Sequence, residues 1–96
     1  MSQAPDFLVH ESTDVVGVVV VETVQPGAKL QGWVMDKDTT IEVAALDAIP
    51  LGHKIALKDL SEGDTILKYG HDIGKIVSPV KKGGHVHVHN AKTKRW

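Results

Sequence analysis

Cysteine is absent from the 96 residues, which excludes a disulfide-stapled scaffold, a thiolate zinc site and a cysteine nucleophile. Aromatic residues are scarce, at 4% of the chain, and are not interleaved with the basic residues as a nucleic-acid-binding face requires. No apolar run reaches the ~18 residues of a membrane-spanning helix. Met1 to Val9 has neither the basic start nor the long apolar stretch of a secretory signal. A cytoplasmic protein is expected, with neither nucleic acid nor membrane as a partner. The chain is also short. It has room for one small core but not for the self-contained cleft of a large enzyme, so any catalysis is expected to be shared with a partner chain.

What is present is a globular composition: 42% of residues are apolar and the formal charge is −1. That small total hides an asymmetry. Met1 to Asp47 holds eight acids and two bases, whereas Ala48 to Trp96 holds nine bases and four acids. Five of the six histidines also lie in the second half. A positive half with clustered imidazoles favours anionic ligands such as small carboxylates, phosphates or an acidic protein face.

No long stretch repeats apolar residues at a helical period, and the chain reads as all-β. The segment from Asp14 to Val24 is rich in β-branched residues, and Leu30 to Met35 suggests a second strand, bulged near Gly32. Thr39 to Leu46, His53 to Leu57, Thr65 to Tyr69, Ile73 to Val77 and His85 to His89 complete seven or eight short strands. Four segments share the pattern apolar-x-x-Gly-x-x-apolar: Val24 to Leu30, Ile49 to Ile55, Leu60 to Ile66 and Val80 to Val86. Each predicts a tight turn in which glycine takes a positive φ while the flanking apolar residues pin both arms to the core. Their spacing is irregular, so they predict a compact barrel-like or clip-like fold bent at glycines rather than a solenoid. One domain over residues 1–96 is expected, with tails at 1–6 and 91–96.

Gly83-Gly-His-Val-His-Val-His-Asn90 carries the strongest chemical signal. On a strand, His85, His87 and His89 share one face and the valines the other. Two neighbouring imidazoles can converge on one cation, and a third can join only if the strand bends or twists. Such nitrogen ligands suit iron(II), zinc, nickel or copper. The alternative is a solvated strand face. Asn90 can orient an imidazole or bind a substrate oxygen. His53 and Lys54 follow the Gly52 turn, and Lys54 and Lys68 are candidate point charges for carboxylate or sulfonate oxygens. Tyr69 is a candidate proton donor, His10 is unassigned, and Trp33 reads as core or interface.

Ile49 to Leu57 (IPLGHKIAL), Glu62 to Gly70 (EGDTILKYG), Ile73-Gly74 and Gly84 to Asn90 (GHVHVHN) together resemble the SAF domain of the altronate and galactarate dehydratase family. The resemblance runs from about Phe7 to Trp96. It implies a SAF-like β-clip fold, a separately encoded large catalytic subunit and a metal-assisted lyase reaction, with iron(II) as the ion. Lys54, Lys68 and the three clustered histidines occupy motif positions of that family. The site expected on this basis has His85, His87 and His89 as catalytic groups and His87 and His89 as metal ligands. Lys54, Lys68, Asn90 and His53 would lie toward a small anionic hydroxy acid. The implied reaction is loss of sulfite from 3-sulfolactate, to give pyruvate, or loss of water from a sugar acid. A non-catalytic ligand- or protein-binding module is the third reading.

Overall fold

The four glycine segments form four β-turns, and these organise the molecule. In the computed structural model, which describes residues 4–22, 24–68, 71–87 and 90–93, the turns are Gln25–Ala28, Pro50–His53, Ser61–Asp64 and Lys81–Gly84. In each, the N–H of the fourth residue donates to the carbonyl of the first, at 2.8 to 3.1 Å. Gly27, Gly52, Gly63 and Gly83 occupy the third position with φ between 84° and 91°. This is the type II geometry, which demands a positive φ there. Each glycine N–H also donates to a carbonyl outside its turn: Ala45, Val19, Ile76 and Ala56 respectively. All eight apolar residues flanking the turns are buried.

The turns associate in pairs. Ile49 donates its N–H to the Val24 carbonyl, and Leu60 and Val80 exchange two backbone hydrogen bonds at 2.7 and 2.8 Å. The pairing divides the core. Val24, Leu30, Ile49 and Ile55 belong to one apolar cluster, whereas Leu60, Ile66, Val80 and Val86 belong to a second.

Among the described residues there are nine strands: β1 (Phe7–Val9), β2 (Val16–Val19), β3 (Lys29–Val34), β4 (Thr39–Ala44), β5 (Lys54–Ala56), β6 (Thr65–Lys68), β7 (His71–Ile76), β8 (His85–Val86) and β9 (Ala91–Thr93). Six form a sheet in the order β4-β3-β1-β2-β5-β8, and three form a second in the order β6-β7-β9. No helix occurs among the described residues, and none is long and apolar enough to cross a membrane. The all-β expectation holds.

β2 and β5 pair with Val16 opposite Ala56 and Gly17 opposite Ile55. Alternation then sends Val16 and Ala56 into the second cluster and Val19 and Ile55 into the first, so this strand pair is a wall common to both. Full burial of a side chain such as Ile55 contributes roughly 1.5–3 kcal/mol.

Several sequence expectations need correction. Phe7–Val9 forms a strand that pairs antiparallel with the next strand, β2, and in parallel with β3, 25 positions away. Gly32 is not bulged, since β3 and β4 stay in continuous register from Lys29↔Ala44 to Val34↔Thr39. Its glycine is required because a Cβ there would overlap the ring of the fully buried Phe7. The irregularity in register falls between Ile66 and Leu67 on β6 instead. The Asp14–Val24 strand contracts to β2. Residues 91–93, expected within a tail, form β9 against β7, and Asp6 is tied to Gln31 by bonds of 2.7 and 2.9 Å. Trp33 is half-buried, and its indole N–H donates to Asp38 at 2.9 Å.

Candidate functional site

β8 is an edge strand of the six-stranded sheet and pairs antiparallel with β5, placing Val86 opposite Lys54 and His85 opposite Ile55. Ala56 donates its N–H to the Gly84 carbonyl at 2.9 Å. Backbone alternation therefore turns the N–H and C=O of His85 away from β5, toward the open edge. Side chains satisfy them there. The His85 N–H donates to Asp47 Oδ2 at 2.9 Å, and its carbonyl accepts from Asn90 Nδ2 at 2.7 Å. Asn90 Oδ1 accepts the His87 N–H at 3.0 Å. The His87 carbonyl accepts from the N–H groups of Asn90 and Ala91 at 3.1 and 3.0 Å. β8 thus ends at Val86, short of the expected strand from His85 to His89, of which residues 88 and 89 lie outside the described residues.

Continuing the β5–β8 register by one residue puts His53 across from His87. Such non-hydrogen-bonded antiparallel positions bring side chains closest together. Accordingly, the His53 and His87 rings stack with centroids 3.9 Å apart and planes 19° from parallel. His85 lies 5.0 Å from His53 and 5.7 Å from His87, ring centre to ring centre. His53 Nδ1 and His85 Nε2 are 2.8 Å apart, so one nitrogen donates and the other accepts. All three rings are half-buried, and one nitrogen from each lies within 4.8 Å of the other two. Nitrogens bound to one ion at ~2.1 Å stand roughly 3.4–4.2 Å apart, a spacing this set approaches. Imidazole lone pairs lie in the ring plane, and these rings are 9° to 26° from parallel, so the stack must open for all three to face one ion. An all-imidazole donor set fits a divalent transition metal.

Among the expected site residues, His85 and His87 converge, and their third companion is His53, which the sequence had pointed toward substrate. His53 and His85 lie 32 positions apart, and the strand register that joins them is not a local property. His89 and Tyr69 lie outside the described residues, as does the side chain of Lys68. Lys54 is half-buried and, by alternation, lies on the face opposite Ile55 and His85. Asn90 is 7% exposed, with both ends of its amide engaged by the backbone. His10 is not part of the cluster. Asp47 was not anticipated. Nothing local in the sequence marks it as the partner of an edge N–H 38 positions away.

The glycine turns, the two sheets and the lack of helix among the described residues fit an all-β SAF-like domain. The chain belongs to the altronate/galactarate dehydratase SAF domain family, whose model matches residues 5–94. It is similar to the (2R)-sulfolactate sulfo-lyase subunit alpha of Chromohalobacter salexigens, with 57% identity over 91 residues, covering 95% of this chain and 97% of that one. The subunit of the same name from Paracoccus pantotrophus is 52% identical over 63 residues, covering 66% of this chain and 94% of that one. Altronate dehydratase of Bacillus subtilis is 38% identical over 85 residues, which are 88% of this chain and 16% of that enzyme.

Proposed function

We propose that this chain is the small subunit of a (2R)-sulfolactate sulfo-lyase and contributes the His53, His85 and His87 cluster to an active site completed by a large subunit. The observation that carries this reading is the convergence of three imidazoles in a chain similar to a sulfo-lyase alpha subunit over 95% of its length. The reaction converts 3-sulfolactate to pyruvate and sulfite. A base removes the C2 proton, the C3–S bond breaks with its electron pair leaving on sulfite, and the resulting enol takes a proton at C3 to become pyruvate.

His53, His85 and His87 would hold a divalent ion, iron(II) in this reading. Such an ion supplies Lewis-acid polarisation of the substrate's carboxylate and hydroxyl, which acidifies C2–H. The imidazoles also have their own chemistry. The His53–His85 contact requires one ring nitrogen to be unprotonated and to accept the hydrogen bond, and that lone pair would turn to a proton or a cation only when the contact is given up. Basic residues of the second half supply positive potential for the carboxylate and sulfonate. A large subunit is needed to close the site, because the three rings are only half-buried on a sheet edge. Leu46 and Leu51, the most exposed large apolar side chains among the described residues at 51% and 53%, lie on the segment that runs past Asp47 to His53.

The test is sulfite release from 3-sulfolactate by the two-chain complex, with altronate and galactarate as competing substrates and metal analysis of the active complex. Sulfite release by the complex and by neither chain alone is expected, with iron bound. Release by this chain alone would overturn the shared site. Dehydration of a sugar acid without sulfite release would favour the second reading, a dehydratase subunit, which the similarity to altronate dehydratase supports. In the intact complex, His87→Ala is expected to lower kcat by about 10²–10⁴-fold. A non-catalytic docking module would keep its turnover.

A further inference from the structure

We infer that Asn90 and Asp47 are positioning residues: they set the backbone of His85 and His87 so that both rings meet His53. The inference rests on reading the three histidines as the functional site, but the geometry it predicts can be tested without any assay of turnover.

β8 is only two residues long and lies at an edge, so its ladder to β5 fixes one side of the strand alone. The outward side carries the His85 N–H, the His85 C=O and the His87 N–H. All three are engaged by side chains, at 2.9, 2.7 and 3.0 Å. Asn90 supplies two of these bonds. Its carbonyl oxygen can only accept and its amino group can only donate, so the pair of contacts admits one amide orientation. Burial makes the arrangement stringent, since a buried amide without partners is costly and any shift of the His85–His87 backbone would break one contact or the other. One side chain therefore holds the residues that carry two rings of the cluster.

Asp47 fixes the other end. Its neighbour Leu46 donates an N–H to the Gly83 carbonyl at 2.9 Å, which docks the loop against the turn leading into β8. The carboxylate then accepts the His85 N–H. A cap of the same kind, Asp59 Oδ1 accepting the Lys82 N–H at 2.8 Å, holds the same turn without touching His85 or His87. Asp59 is thus an internal control for a purely structural cap.

The full chain, isotopically labelled, is examined by NMR for contacts between the ring protons of His53 and His87, and titrated with Co²⁺. Asn90→Ala and Asp47→Ala are expected to weaken the ring-to-ring contacts and to lower Co²⁺ affinity by about 10–100-fold. Asp47→Asn keeps an acceptor oxygen and should restore both readouts, and Asp59→Ala should leave both near wild type. Folded Asn90→Ala and Asp47→Ala proteins with unchanged ring contacts would overturn the inference. Should Asn90→Ala fail to fold, Asp47→Ala decides, because that side chain is exposed. A wild-type chain that binds no Co²⁺ would count against the metal reading alone, since the ring contacts still decide the positioning role.

Discussion

Ser12 and Asp36 are 24 positions apart, yet the Asp36 carboxylate accepts both the backbone N–H and the hydroxyl of Ser12, at 3.0 and 3.2 Å. The Ser12 N–H holds this carboxyl below its ordinary value of 3.8, with the Ser12 hydroxyl and Lys37 adding to the effect against the opposing influence of desolvation. A carboxyl whose folded-state pKa is depressed stabilises the fold above its unfolded value, and that contribution is lost as pH falls through the folded value. Asp36→Ala should therefore lower Tm near neutral pH, and the difference from wild type should shrink as pH falls below 3.8 and through the depressed folded value. Thermal unfolding across that range reads the effect. An equal deficit at every pH would mean that packing rather than charge accounts for it. The group is fully exposed, so the change in Tm should be small.

Among the elements, the four glycine turns are alike in φ but not in surroundings. An added Cβ at Gly63 meets nothing within 4 Å, whereas one at Gly83 would run into the carbonyl of Ala44. Gly63→Ala should cost only the strain of a positive φ, about 1–2 kcal/mol. Gly83→Ala adds a backbone collision at the turn that launches β8 and should cost more, by at least about 1 kcal/mol. Urea unfolding of the two variants compares them directly, and equal losses would contradict the packing described for Gly83. These turns were legible in the sequence because their determinants lie within seven consecutive residues. The shared face of His85 and His87 was legible for the same reason. β1 was not, since three residues offer no periodicity and Phe7 finds its glycine partner 25 positions away. Nor was the role of His53, which depends on the register between β5 and β8. Asn90 was visible as a polar residue beside the imidazoles, but its burial and its two backbone partners follow from where the fold places it beside His85 and His87.

For the whole molecule, the two apolar clusters meet at one strand pair. Val19 and Ile55 face one side of it, and Val16 and Ala56 face the other. Neither cluster can lose its packing without stripping the wall of its neighbour, so the domain should unfold in a single step despite its divided core. Coincident denaturant transitions by tryptophan fluorescence and far-ultraviolet circular dichroism are expected. Separated transitions would show that the halves are independent. The outer margin of β8 has a different significance. A strand edge with free amides and carbonyls invites an incoming chain to extend the sheet, but at His85 and His87 those groups are already taken by Asp47 and Asn90. A second polypeptide approaching this edge is thereby denied backbone zippering at His85 and His87, so its recognition of the edge would rest on side chains.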